Sequence, residues 1–149
     1  MSAKASFSLK SVLLSDDPSE VDWKELAVVF ERAPLGKRLP ATLRRTFRNS
    51  PVRCFAWHRG RLVGAGRVLT DFYRAALVLD VVVLPEYQGR GLGRKIMRFL
   101  TKRAKASNLI LYAAPGREGF YRKLGYRKMT TAMALFPDPE ERRRAGYLE

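Results

Sequence analysis

Three glycines at alternate positions, Gly89, Gly91 and Gly93, stand between an apolar run, Val78 to Leu84, and an amphipathic segment that begins at Arg94. Strand, glycine turn and helix in that order present consecutive backbone N–H groups and a helix N-terminus, an arrangement that binds phosphate. Glycines let those amides approach an anion with no side chain in the way, and Arg90 and Arg94 add positive charge beside them. The stretch is neither the G-x-G-x-x-G of a dinucleotide site nor a P-loop, which ends in Gly-Lys-Ser/Thr. Two carboxylates lie close by in sequence, Asp80 within the apolar run and Asp71 in the turn before it. Burying a carboxylate without partners is costly, so Asp80 either serves a site or is held by a structural hydrogen bond. Asp71 carries the same two alternatives. Cys54, the only cysteine, falls in a strand-like run and reads as a buried, inert thiol. His58, the only histidine, falls near a hairpin turn and reads as exposed, and Glu31 reads as helix surface. No group of His, Cys and carboxylates has metal-ligand spacing, so no metal is expected.

The elements that must position these residues follow from periodicity. Phe7, Leu9, Val12 and Leu14 predict a first strand. A helix is expected from about Val21, capped by Asp17 or Ser19, with Trp23, Leu26, Ala27 and Phe30 at helical spacing. A second helix spans Ala41 to Arg48 and stops at Asn49-Ser50-Pro51. Val52 to His58 and Leu62 to Thr70 predict a hairpin about Arg59-Gly60-Arg61. Ala76 to Leu84 reads as a buried central strand, and Arg94 to Ser107 as a helix with Ile96, Met97, Leu100 and Ala104 on its apolar face. Leu109 to Ala113 predicts a short strand, Glu118 to Leu124 a short helix stopped by Gly125, and Met129 to Phe136 a last strand. Residues 137–149 form a polar tail with a helix through Glu140 to Arg144. This order predicts an α/β protein, a mixed sheet with helices on both sides.

A chain of 149 residues is long enough for one domain with a sizeable core and short for two. With 46% hydrophobic and 29% charged residues, it is expected to be globular. No apolar run approaches the roughly 18–20 residues of a membrane span, and Met1 to Lys10 has no apolar signal-peptide core. A cytoplasmic protein is the expectation. The formal charge of +15 attracts polyanions, whether nucleic acid, an acidic surface or a phosphorylated cofactor. No aromatic RNA-binding motif and no helix-turn-helix accompanies that charge.

The spacing Gln88-x-x-Gly91-x-Gly93 resembles the pyrophosphate-binding signature of the GNAT superfamily of N-acetyltransferases. A second stretch, Gly119-Phe120-Tyr121-Arg122-Lys123-Leu124-Gly125-Tyr126, looks like the aromatic pair and Leu-Gly-aromatic sequence that follows the fifth strand of that superfamily. Residues 60 to 135 carry the likeness, and Arg67-Val-Leu-Thr-Asp71 with Asp80-Val-Val-Val resembles bacterial and plastid-type amine acetyltransferases. The resemblance implies one GNAT-type domain over residues 1–149, with a mostly antiparallel twisted sheet flanked by helices. It implies acetyl-CoA as co-substrate, held by Gln88, Gly89, Arg90, Gly91, Leu92, Gly93 and Arg94. Backbone groups of Val82, Val83 and Leu84 would pair with the pantetheine amides, one N–H polarising the thioester carbonyl.

By the same resemblance Tyr121 protonates the departing thiolate; a phenol with a pKa of about 10 still carries its proton at neutral pH. The attacking amine must lose a proton, and Asp80 or Asp71 could draw the amine or relay that proton through water. Ala114-Pro115-Gly116 stands where many relatives carry a CoA-contacting asparagine. Trp23, Phe30 and Phe47 are expected to line the acceptor side. The implied reaction is direct attack of a primary amine on the thioester, with a small or aromatic amine favoured because a basic surface repels a polycation. Alternatives are a protein lysine or N-terminal acetyltransferase, a non-catalytic acetyl-CoA-binding protein, or a nucleic-acid-associated protein. Dimers are common in the superfamily, so a homodimer is a further expectation.

Overall fold

Arg59 and Gly60 both adopt positive φ, 51° and 73°, the pair of left-handed residues a tight hairpin turn needs. They join β2 (Val52–His58) to β3 (Arg61–Thr70) in the computed structural model, which describes residues 7–149. β1 (Val12–Ser15) pairs with β2, and β4 (Ala75–Val83) with β3, all antiparallel. β5 (Asn108–Ile110) joins β4 in parallel, giving a five-stranded sheet in the order β1-β2-β3-β4-β5. The mixed, mostly antiparallel α/β sheet expected from the sequence is therefore present.

Helices cover both faces. On one side, α1 (Trp23–Arg32) and α2 (Pro40–Arg48) bring Trp23 and Phe47 against Phe55 of β2, with Phe47 and Phe55 ring centroids 5.4 Å apart and Phe30 edge-on to Phe47. On the other lies α3 (Leu92–Ala104), which buries Leu92, Ile96, Met97, Leu100 and Ala104 at helical spacing. Its close approach depends on glycine: a Cβ at Gly64 would sit 2.9 Å from both Ile96 Cδ1 and the Val82 carbonyl oxygen.

Several elements differ from expectation. Leu9–Ser11 form a 3-10 turn, with Ser11 Oγ donating to the Ser8 carbonyl at 2.6 Å, so β1 starts only at Val12. Asp22 caps α1, its Oδ1 accepting from Lys24 N at 2.9 Å and Glu25 N at 3.4 Å, whereas Asp17 accepts from Ser19 N in the preceding turn. α3 starts at Leu92, two residues before the first basic position of its polar face. β4 lies next to the β5 edge strand, with β3 at the centre of the order. The predicted strand over Met129–Phe136 is absent: that stretch joins no ladder, and Met133 and Leu135 are 97% and 99% exposed. Its alternation favours a strand, but a strand without a partner leaves its backbone groups unpaired.

The chain divides into two compact units, the first ending at Leu111 and the second spanning Tyr112–Glu149. The second holds α4 (Glu118–Lys123) and α5 (Pro139–Arg144), and Tyr112 meets Phe136 and Tyr147 edge-on at 6.4 and 6.1 Å. No helix among the described residues is long and apolar enough to cross a membrane.

Candidate active site

The chain leaves β4 through a latched turn. Leu84 N donates to the Val63 carbonyl at 2.9 Å, and Pro85–Tyr87 form a single 3-10 turn. Glu86 receives both terminal nitrogens of Arg32, at 3.1 and 2.9 Å, and Arg61 at 3.3 Å. That pairing, the Arg32 hydrogen bonds above all, holds its carboxyl below the usual carboxylate range. Tyr87 Oη lies 2.7 Å from His58 Nδ1, so the histidine is tied into the turn rather than free at the surface. Gln88 Nε2 donates to the Val83 carbonyl at 2.9 Å and thereby works inside the turn.

Gly89 and Gly91 then take φ of 71° and 87°, and Gly91 is the N-cap of α3. A glycine cap offers no side-chain acceptor, and no acidic residue stands in the first turn. The first α3 ladder bond is Lys95 N to the Gly91 carbonyl, at 3.0 Å. The N–H groups of Leu92, Gly93 and Arg94 therefore lead the helix without intrahelical partners, where the macrodipole is positive. Arg94 is exposed; Arg90 is exposed too, its guanidinium 5.2 Å above the Phe7 ring. Lys95, unremarked in the sequence, donates to the Leu9 and Val12 carbonyls at 3.1 and 2.6 Å and pins β1 to this turn.

β5 pairs with β4 only at Ala75, Ala76 and Leu77. Beyond Leu77, among the described residues, β4 has β3 on one side and no strand on the other. Such an edge can accept an extended ligand by backbone pairing. Val82 and Leu84 are buried and Val83 is half-buried, so their side chains fill the core.

Asp80 sits where the β3–β4 register slips, between Ala65 and Arg67, and has φ 55°. A non-glycine residue in that region is uncommon and costs roughly 1–3 kcal/mol unless its surroundings hold it. Here Arg67 Nε donates to Asp80 Oδ2 at 2.6 Å, and Arg67 Nη1 donates to Ser50 Oγ at 3.2 Å. The partner that a buried carboxylate requires is thus Arg67. Two opposite charges set in the apolar strands of one hairpin were a readable signal of this pairing, and the bulge was not.

Other expected site residues lie elsewhere. Asp71 Oδ1 accepts from the N–H groups of Tyr73, Arg74 and Ala75 at 2.8, 2.7 and 3.1 Å, and those bonds lower its pKa. It caps the turn before β4, at the opposite end of that strand from the glycines, and a depressed carboxyl is a poorer base. Phe30 and Phe47 have no exposed surface, so they are core and not an acceptor wall; Trp23 is half-buried against Phe55. Burial pushes the Cys54 thiol up to about 12, which keeps it inert at neutral pH. No three His, Cys, Asp or Glu converge among the described residues.

In the second unit, Tyr126 N donates to the Tyr121 carbonyl at 3.1 Å and Gly125 N to that of Arg122 at 3.0 Å, with Gly125 at φ 91°. These two bonds are a Schellman cap on α4, which explains the glycine at Gly125. The cap sets the Tyr121 and Tyr126 rings 5.9 Å apart and Phe120 4.9 Å from Tyr121. Burial, and then Tyr126, raise the Tyr121 pKa, so its phenol keeps its proton. The Tyr126 hydroxyl is buried without a hydrogen-bond partner among the described residues.

The five-stranded, mostly antiparallel sheet with helices on both faces places the first unit in the mixed α/β class. Residues 50–128 match the family model described as acetyltransferase (GNAT) domain, and the chain belongs to that family. It is 40% identical over 116 residues to serotonin N-acetyltransferase 2, chloroplastic, of Oryza sativa subsp. japonica, covering 71% of this chain and 56% of that protein. It is 44% identical over 71 residues to the N-acetyltransferase ycf52 of Porphyra purpurea, covering 46% of this chain and 41% of that protein. The chain thus spans about half the length of these curated relatives. Among solved structures, a candidate acetyltransferase from Deinococcus radiodurans R1 superposes with TM-score 0.75 at 26% identity, over 89% of this chain and 92% of that one.

Proposed function

We propose that this protein is an acetyl-CoA-dependent N-acetyltransferase whose acceptor is a small or aromatic primary amine. The observation that carries the reading is the α3 N-terminus: three leading N–H groups, a glycine cap and no carboxylate in the first turn. These residues fit a diphosphate, because the leading N–H donors and the positive end of the dipole converge beside Gly89 and Gly91, which carry no side chain and turn at positive φ. Leu92, Gly93 and Arg94 would hold the pyrophosphate of acetyl-CoA with Gly89 and Gly91 behind them, while Arg90 and Arg94 supply charge. The outer edge of β4 at Val83 would pair with the pantetheine, its N–H facing away from β3 while Leu84 N and the Val83 carbonyl are already engaged by Val63 and Gln88, and that N–H would polarise the acyl carbonyl. Acetyl-CoA supplies the activated acyl group as a thioester.

Tyr121, kept protonated by burial, would hold the proton that the leaving thiolate requires. Asp80 has Oδ2 taken by Arg67, which leaves Oδ1 to orient the amine or pass its proton to water. The rice relative's name supports an arylalkylamine acceptor. A soybean relative, 34% identical over 110 residues, is named histone acetyltransferase TAP1 and supports a protein lysine as the second reading. The net charge of +15 opposes a lysine-rich tail and favours the small amine. A cytoplasmic site of action remains part of the proposal, and the rice relative is named chloroplastic.

The test is acetyl-CoA-dependent release of free thiol with arylalkylamines, polyamines, aminoglycosides, amino acids and lysine peptides. Turnover with arylalkylamines is expected. Turnover confined to lysine peptides would replace the acceptor assignment, and none with any amine while acetyl-CoA binds would remove the catalytic reading.

A further inference from the structure

The glycine turn employs two arginines, and a net charge of +15 asks for a further partner. At the other end of α3, an open cleft of about 520 Å³ is lined by Arg53, Phe72, Lys102, Arg103 and Lys105, with Asp16 the one carboxylate on its wall. Lys102, Arg103 and Lys105 form no ion pair among the described residues, while Arg53 spends Nε and Nη1 on the Asp16 and Ser50 carbonyls at 2.9 and 3.1 Å. The Arg103 guanidinium lies 3.5 Å from the Phe99 ring centroid and is held in place by it.

Two aromatic rings project beside these cations. Phe72 is 49% exposed and Tyr73 86% exposed, both from the turn between β3 and β4, which also carries Arg74. That turn is rigid. Asp71 accepts its three amides, and Thr70 Oγ1 accepts from Phe72 N at 2.9 Å while donating to the Ala104 carbonyl at 2.7 Å. Ser107 N and Asn108 N donate to the Tyr73 and Arg74 carbonyls at 3.3 and 2.8 Å. Phe72 itself stands at φ 59° and Lys105 at 49°, so the fold tolerates backbone strain on both sides of the cleft. Exposed rings on a fixed turn lose little freedom on binding, which is what a stacking platform requires.

We propose that this surface binds single-stranded nucleic acid: Lys102, Arg103, Lys105 and Arg74 meet the phosphates, and Phe72 and Tyr73 stack on unpaired bases. Cations interleaved with exposed aromatics are the combination that single strands reward, because every base has a π-face and the backbone is a regular row of negative charge. Duplexes hide those faces. Asp16 lines the cleft, Asp17 lies near enough to Arg53 to feel its charge, and Asp71 has its Oδ1 engaged by the turn, so Lys102, Arg103, Lys105 and Arg74 with Arg53 outweigh the three carboxylates.

The experiment is fluorescence anisotropy of labelled oligouridine and oligothymidine of about twelve nucleotides, with a duplex and polyglutamate as competitors, across about 50 to 200 mM salt. It needs no acetyl-CoA and so stands or falls apart from the acetyltransferase reading. Single strands are expected to bind about tenfold more tightly than duplex, with affinity falling by a log–log slope of about 0.7 per phosphate neutralised. Phe72→Gly with Tyr73→Ala should weaken single-strand binding about tenfold without changing that slope; glycine suits the Phe72 backbone, so folding is preserved. Lys102→Glu with Lys105→Glu should lower both affinity and slope. Lys24→Glu with Lys37→Glu, the same charge change on and beside α1, should do neither. Equal losses in the two charge-reversed proteins, competition by polyglutamate or duplex equal to that of single strands, or no binding at the lowest salt would each overturn the proposal.

Discussion

The two ends of α3 are built to opposite specifications. At its N-terminus Gly91 turns through φ 87°, no side chain caps the helix, and three N–H groups are left leading. At its C-terminus the chain makes an equivalent left-handed turn at Lys105, φ 49°, yet there Thr70 Oγ1 donates to the Ala104 carbonyl. Lys102 and Arg103 add the positive charge that suits the negative end of the dipole. One end is closed by the protein's own groups. The other has glycine where the backbone must turn and no acidic residue in its first turn. The α2 start, at Leu39, also lacks a side-chain cap; what sets α3 apart is the left-handed glycine turn before it, and that is the end where we propose the cofactor binds.

The contrast is broken most completely by filling the open end. Gly91→Glu sets a carboxylate at the cap and a Cβ at a positive φ that costs roughly 1–2 kcal/mol. Acetyl-CoA affinity, read by calorimetry, should fall about a hundredfold or more. Tyr121→Phe should lower kcat about a hundredfold while leaving acetyl-CoA affinity nearly unchanged; full activity would remove the acid assignment. Because burial raises the Tyr121 pKa above its ordinary value of 10.0, the acid form predominates up to pH 10. Activity should rise with pH as the amine loses its proton and fall only beyond pH 10, as the phenol ionises.

Smaller effects probe how α3 is seated. Gly64→Ala drives a methyl against Ile96 and a backbone carbonyl that cannot rotate away, and should cost about 1–3 kcal/mol in denaturant unfolding. At the closed end the sign reverses. Lys105→Gly should stabilise the protein by about 1 kcal/mol, whereas Gly91→Ala should destabilise it by a similar amount.

The sequence disclosed the parts of this molecule that depend on local pattern. Ile96, Met97, Leu100 and Ala104 mark the buried face of α3 because helical spacing is visible residue by residue. Gly60 marks the β2–β3 turn because glycine takes positive φ without steric cost, whereas Arg59 beside it adopts φ 51° against its own preference. What stayed hidden depends on pairing across the chain. The register slip at Asp80 and the shortness of β5 are properties of two strands together, so no single window reveals them. Phe30 was legible as apolar but not as core, since a helix that fills the sheet face and one that lines a cleft share the same spacing. The stretch Met129–Phe136 alternates as a strand would and has no ladder, which is a matter of partners and not of propensity.

The most direct measurement is amide hydrogen exchange with and without acetyl-CoA. Protection is expected at Leu92, Gly93 and Arg94 and at Val83, with Phe72 to Arg74 unchanged. Protection concentrated at the Phe72 turn, or none at the α3 N-terminus at saturating acetyl-CoA, would contradict the assignment of the open end of α3 as the cofactor site.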